Sequence, residues 1–280
     1  MDPSSSHDEN KLNIPLQIEN VLNYVGRDKN RACATVFKNA LGTDLSNELF
    51  TFLSNVPRDP RSPEIIKEDL LSMDKNAYAK YQQKIGGFTR DRYPYFKSLS
   101  PREVMATVKP DDTTKDKYSY SGQTRIALPM KKEDPVHKAC NRISDLVNCG
   151  FTFALINRYD GIKEYISHHQ DNEKDLDPTS PIASCVVGAS RTFEFKFKRS
   201  FPEEQIPKIR GMDRHGRVRF MLDHGDVLVI FAQGNFTHSV PQQGKGIELE
   251  PHVKPDGQST CIRYSITLRK MADTKKSVPK

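Results

Sequence analysis

The 280-residue chain carries 43 Lys and Arg against 36 Asp and Glu, a formal charge of +7, and is long enough to bury one large core without staples. Its five cysteines are odd in number and include no C-x-x-C pair. Cys140, Cys149 and Cys185 lie inside apolar runs, so they read as reduced core thiols rather than a disulfide framework. Residues 1–13 are polar and lack the apolar core of a secretory signal. No segment offers the ~20 apolar residues of a membrane-spanning helix. The expectation is a soluble intracellular protein with no membrane partner.

Residues 1–30 are expected to be a flexible extension and 271–280 a basic tail, both too polar to repay the entropy of ordering. One domain is expected over 31–270. A first helix is predicted where Asp44 stands as N-cap ahead of Leu45, Leu49, Phe52 and Leu53, a helical apolar stripe. A second is predicted from Ser62-Pro63, with proline at the first helical position. Residues 86–96 then mix glycines, arginines and aromatics, among them Phe88 and Phe96. In the run Lys117-Tyr118-Ser119-Tyr120, the two tyrosines alternate onto one face. The clearest helix covers 134–149, with Val136, Ala139, Cys140, Ile143, Leu146 and Val147 on one face and Gly150 beyond its end.

From residue 151 the period shortens to β-type runs at 151–159, 182–187, 192–198, 218–222, 227–232 and 261–268. Turn signals punctuate them at Asp160-Gly161, Gly188, His215-Gly216, His224-Gly225-Asp226 and Gly234-Asn235. That spacing predicts a mainly β, α+β architecture built on a sandwich or jelly roll. Between residues 191 and 219 stand nine Lys/Arg (191, 196, 198, 199, 208, 210, 214, 217, 219) against four acids (194, 203, 204, 213). Such a local excess suits a phosphate-facing patch.

His169 and Asp171 are two residues apart, which on a strand puts both side chains on one face. With a distant second histidine they would make the two-His-one-carboxylate face that holds iron(II) and leaves positions open. His238, just past the apolar run 227–232, is the best distant ligand. His168 could stand in for His169, and His224 or His252 for His238, because spacing does not separate them. Further along, Arg263 and Arg269 lie six residues apart on one strand face, and an arginine so placed can fork a carboxylate.

Together Asn157-Arg158-Tyr159, His169-Gln170-Asp171-Asn172-Glu173, Ser180-Pro181-Ile182-Ala183-Ser184, Gly188 with Arg191-Thr192-Phe193, His238, and the stretch from Arg263 to Arg269 resemble the AlkB family of oxidative demethylases, in its nucleic-acid repair branch. The similarity extends over roughly residues 85–270. It implies a double-stranded β-helix over about 150–270, supporting N-terminal helices, and a nucleotide-recognition lid over about 85–130. It implies Fe(II) on His169, Asp171 and His238. It further implies 2-oxoglutarate held by Asn157 and Tyr159, with Arg263 on its far carboxylate and Arg269 in support. The family motif carries asparagine where this chain has Ser265. A serine hydroxyl still donates a hydrogen bond, so weakened rather than lost co-substrate binding is expected.

By the same resemblance Tyr120 would sandwich a base against His169, with Tyr118 beside it. Glu173 would contact the damaged base, and Arg191, Lys198 and Arg199 would face nucleic acid. An aromatic such as Phe88 or Phe96 would fill the gap left by an extruded base. The implied reaction consumes O2, converts 2-oxoglutarate to succinate and carbon dioxide, and hydroxylates the N-alkyl carbon of bases such as 1-methyladenine or 3-methylcytosine in DNA. The hemiaminal then releases an aldehyde, and ascorbate serves as reductant in assay. A monomer is expected, nuclear if the source is eukaryotic. Rival readings are an RNA demethylase, a same-fold oxygenase acting on a protein or small molecule, and a binding module without turnover.

Overall fold

A computed structural model describes residues 17–25, 31–56, 97–99, 102–109, 117–120, 123–171, 173, 175–198, 212–231, 236–242 and 246–272. In chain order the elements are β1 (Gln17–Val25), β2 (Arg31–Lys38), α1 (Thr43–Asn55), β3 (Lys97–Leu99), β4 (Arg102–Val108), β5 (Lys117–Tyr120), β6 (Gln123–Ile126), β7 (Leu128–Pro129), α2 (Pro135–Val147) and β8 (Phe153–Asp160). They continue with β9 (Ile166–His169), β10 (Ile182–Gly188), β11 (Ser190–Phe197), β12 (Arg217–Leu222), β13 (Val227–Phe231), β14 (Phe236–Val240), β15 (Leu249–Glu250), β16 (His252–Val253), β17 (Ser259–Thr260) and β18 (Ile262–Arg269).

Alternation along the strands assigns each residue to a layer. In β10, Ala183, Cys185 and Val187 face the helices, where they join Leu49 and Phe50 of α1 and Val136, Ala139, Cys140 and Ile143 of α2. Val186 of the same strand faces the other way, into a cluster with Phe193 and Phe195 of β11, Phe236 of β14 and Leu228 and Ile230 of β13. A strand covered on both faces reads as a continuous apolar run, and β10 is buried throughout. The result is three layers: helices, a nine-stranded sheet ordered β1-β2-β13-β10-β18-β8-β4-β3 with β7 beside β4, and a five-stranded sheet ordered β12-β11-β14-β9 with β15 beside β11. Two facing sheets, antiparallel but for the β4–β7 pair, with these crossovers are the expected jelly roll. β5 and β6 pair as a separate hairpin.

Several boundaries differ from the sequence reading for local reasons. Helix α1 starts at Thr43, with Gly42 rather than Asp44 at the N-cap, and Asp44 falls in the first turn, where a carboxylate suits the helix dipole. Helix α2 ends at Val147 because Asn148 adopts the left-handed cap conformation, φ 51°, the turn that Gly150 was expected to make. Gln17–Val25, inside the expected extension 1–30, pairs antiparallel with β2. The helix expected from Ser62-Pro63, and Phe88 and Phe96, lie outside the described residues.

Cys140 and Cys185 are buried free thiols, and burial pushes Cys140 up to about 11, which suits an inert core residue. Gly188 closes β10 at φ +95°, and a Cβ there would lie 2.3 Å from the Ile262 carbonyl oxygen and 2.8 Å from Phe50 Cε2. Gly188→Ala is expected to cost about 2–4 kcal/mol in denaturant unfolding, from backbone strain and overpacking together.

Candidate active site

Strands β9 and β14 pair with His169 opposite His238, which brings the two imidazoles to a centroid separation of 4.3 Å. Strand β9 stops at His169, so Asp171 lies just beyond it instead of on the same strand face. Its carboxylate still converges on both rings, at 3.8 Å from His169 Nε2 and 3.6 Å from His238 Nε2. The ligand atoms of all three lie within 4.8 Å of one another, the one such group among the described residues. The alternative histidines go elsewhere. His168 points to the other face, 2.7 Å from Glu194 Oε1, and His224 stacks on His252.

Burial and then neighbouring His169 push His238 down to about 3, so its ring is the neutral form that a metal ligand requires. Phe193 stacks on that ring at 14° and fixes its plane. Burial works against the Asp171 charge, but Arg269, His238 and His169 outweigh it and hold the carboxyl below its usual range. Arg269 Nη2 donates directly to Asp171 Oδ1. The segment after Asp171 is laced to the chain beyond β18, through Asp177 N–H to Lys270 O and Ala272 N–H to Asp175 O, both 2.9 Å. Two imidazoles with one ionised carboxylate are a donor set suited to Fe(II).

Strand β18 carries the second half of the site. The β18–β8 register sets Arg263 against Tyr159 and Ser265 against Asn157, all four buried. Arg263 Nη1 donates to Leu222 O at 3.0 Å and Ala189 O at 3.5 Å, and its Nε donates to Ser265 Oγ at 3.3 Å. Ser265 therefore accepts from the guanidinium, where the sequence suggested a donor. Arg263 Nη2 is buried with no partner among the described residues. Burial, then the proximity of Arg191, lowers Arg263 to about 9, which leaves it cationic at neutral pH. A buried cation with an unsatisfied donor fits the carboxylate of a dicarboxylic co-substrate. Arg269, expected to assist Arg263, grips Asp171 instead.

Asp171 and Arg269 also line a cavity of about 370 Å³ with Glu173, Lys198, Ile182 and Ile230, so two expected substrate residues reach the mouth of the site. A larger, open cavity of about 510 Å³ is lined by His168, Glu194, Arg217 and Arg219 on the other face of the small sheet and includes no triad residue. Tyr118 and Tyr120 belong to β5, where they pair in register with Arg125 and Gln123. Their side chains, and Arg199, lie outside the described residues.

Arg191 is a correction to the phosphate-facing patch. It is 0% exposed, and its guanidinium donates to the carbonyls of Gly161, Glu164, Ile162 and Pro241 at 2.7–3.4 Å. It ties the β8–β9 loop to the end of β14. The carbonyls of Leu222 and Ala189 that hold Arg263 were not foreseen, since any residue type supplies a carbonyl. Arg191→Lys is expected to destabilise by roughly 2–4 kcal/mol, because a lysine leaves buried carbonyls unmet. A surface contact to phosphate would leave thermal unfolding within about 0.5 kcal/mol of the parent.

Residues 65–269 match the family described as the 2OG-Fe(II) oxygenase superfamily. Among curated proteins, the chain is 32% identical over 162 residues to mouse "DNA oxidative demethylase ALKBH2", covering 57% of this chain and 59% of that one. It is 34% identical over 162 residues to the human protein of the same name, covering 57% and 54%. It is also 34% identical over 130 residues to human "Alpha-ketoglutarate-dependent dioxygenase alkB homolog 3", covering 45% and 43%. The matched stretch thus spans little more than half the length of the first of these relatives. Of solved structures, OsALKBH1 aligns over 85% of this chain and 97% of that one at 14% identity with a TM-score of 0.46, a likeness too distant to carry an argument. The chain belongs to the 2OG-Fe(II) oxygenase superfamily, and its curated relatives are AlkB-type enzymes.

Proposed function

We propose that this chain removes alkyl groups from N-alkylated bases in DNA, 1-methyladenine and 3-methylcytosine among them, by coupling their hydroxylation to oxidation of 2-oxoglutarate. The supporting observation is a His-Asp-His cluster with Asp171 and His238 buried, together with a buried arginine, Arg263, that has an unmet donor. The names of the curated relatives favour DNA as the substrate class. The superfamily works with Fe(II) and 2-oxoglutarate, and the donor set suits both. Fe(II), when bound with the keto acid and O2, supplies the oxidising power that hydroxylates the alkyl carbon.

In this reading His169, Asp171 and His238 hold the metal. Arg269 keeps Asp171 ionised and fixes one of its oxygens, while the stacked Phe193 keeps the His238 ring in plane. Arg263 pairs with the far carboxylate of 2-oxoglutarate, oriented by Ser265 and flanked by Asn157 and Tyr159. Glu173 and Lys198 at the cavity mouth, with Tyr118 and Tyr120 from a lid over about 85–130 and Arg199 from the basic run, receive the extruded nucleotide. The working unit is a monomer on nucleic acid, nuclear if the source is eukaryotic. No described helix is long and apolar enough to cross a membrane.

With Fe(II), ascorbate and 2-oxoglutarate, the purified chain is expected to release formaldehyde from oligonucleotides carrying either lesion, and Asp171→Ala is expected to release none. Turnover retained in that variant would refute the metal assignment. Single-stranded DNA, duplex DNA and RNA run side by side separate the DNA reading from its RNA rival. Arg263→Gln is expected to weaken 2-oxoglutarate binding about 10²-fold, the scale of losing one partner of a buried charge pair.

A further inference from the structure

His224 and His252 take no part in the triad, yet they form a built arrangement of their own. His224 lies in the turn between β12 and β13, and His252 opens β16. Their rings stack at 4.2 Å and 13°, and Phe50 of α1 meets both edge-on, at 6.5 and 5.1 Å. The turn is pinned from below, where Lys38 Nζ donates to Asp223 and Asp226 at 2.7 Å each. The Gly188 N–H donates to His224 Nδ1 at 2.9 Å.

That hydrogen bond has a chemical requirement. Nδ1 must present its lone pair, which puts the proton of the neutral ring on Nε2. Burial, and then His252, push His224 down to about 4, so the ring stays a neutral acceptor near pH 7. His224 Nε2 has no partner among the described residues. An apolar side chain would fill the same space without an unmet polar atom, and what it could not do is hold the Gly188 N–H.

The segment so held is the one that aims Arg263. Gly188 lies opposite Arg263 in the β10–β18 ladder. Arg263 Nη1 donates to the carbonyls of Ala189 and Leu222, which come from two separate stretches of chain, one adjacent to Gly188 and the other two residues before His224. His224 Nδ1 joins those stretches through a side chain, beside the backbone bonds Gly225 N–H to Val186 O at 2.8 Å and Val186 N–H to Asp226 O at 3.0 Å.

We infer that His224, steadied by its stack on His252, is a positioning residue for the 2-oxoglutarate arginine: it locks the Gly188-Ala189 turn against the β12–β13 turn, so that the two carbonyls present Arg263 with Nη2 free for the co-substrate carboxylate. This rests on reading Arg263 as the carboxylate site. It assigns His224 to co-substrate affinity and not to metal binding. The stack lies behind the carbonyls that receive Arg263, on the side of the large sheet where α1 packs.

The test is calorimetric binding of 2-oxoglutarate to the Fe(II)-loaded chain under argon, where no turnover occurs, beside iron affinity and thermal unfolding. His224→Leu is expected to raise the 2-oxoglutarate Kd about tenfold, the scale seen when a supporting hydrogen bond behind a ligand is removed. Iron affinity and kcat at saturating 2-oxoglutarate should stay within about twofold. His224→Asn, whose side-chain carbonyl can replace the Nδ1 acceptor, should restore most of the affinity. His252→Leu, which removes only the stack, should give a smaller rise in Kd and carries the test if His224→Leu does not fold.

Parent-like Kd values in His224→Leu and His252→Leu, failure of His224→Asn to recover, or loss of iron affinity in step with 2-oxoglutarate would each overturn the inference. A parent chain that binds no 2-oxoglutarate sinks the reading of Arg263 itself. Parent binding with indifferent His224 variants sinks only the role of His224.

Discussion

A carboxylate taken out of water is tolerable only when something of opposite charge meets it, and at Asp171 that partner is Arg269. The contact joins the two sheets. Asp171 follows β9 at the edge of the small sheet, and Arg269 ends β18 near the middle of the large one. The chain thus cannot close its sandwich without assembling the charged half of the candidate site, and cannot assemble that half without closing the sandwich. Stability and chemistry share one ion pair, and the large sheet helps to shape a cluster whose ligands all come from the small-sheet side.

The inter-sheet space is polar at the positions where the strands bring cations inward. Along β18, Arg263, Ser265 and Arg269 occupy alternate positions facing the small sheet, while Tyr264, Ile266 and Leu268 face the helices. This gives one strand a charged face and an apolar face, both buried. The apolar face is anchored by α1 and α2, and the charged face is met in part by carbonyls, Ser265 and Asp171, with Arg263 Nη2 left over. Helices far from the chemistry consequently bear on the site, because they hold the strand that carries both arginines.

Much of this was legible in the sequence. The period-two runs placed β8, β10, β11, β12, β13 and β18 to within a residue or two, since their apolar residues have to alternate or run continuously to be covered. The motif order brought forward His169, Asp171 and His238, whose side chains converge. Spacing could not choose His169 over His168, because adjacent residues face opposite ways and only the register with β14 tells which way is inward. Arg191 was read by its charge, as surface. The alternation that sends Phe193 and Phe195 into the core sends Arg191 there too, and that signal was available. The turn at Asn148 was missed because asparagine competes with glycine for the left-handed conformation, and Gly150 was the more obvious candidate.

The place of β18 in the large sheet bears on how the molecule is made. It is the last of the described strands, yet it lies between β10 and β8, and Arg269 is 98 residues downstream of Asp171. A ribosome therefore delivers the Asp171 carboxylate well before the cation that makes its burial tolerable, and β8 and β10 wait with open edges until β18 inserts. Such long-range closure is slow, and unpaired strand edges favour aggregation while it lasts. It also means that a fragment cut short before β18 lacks the cation that meets Asp171, and so leaves the candidate cradle unfinished.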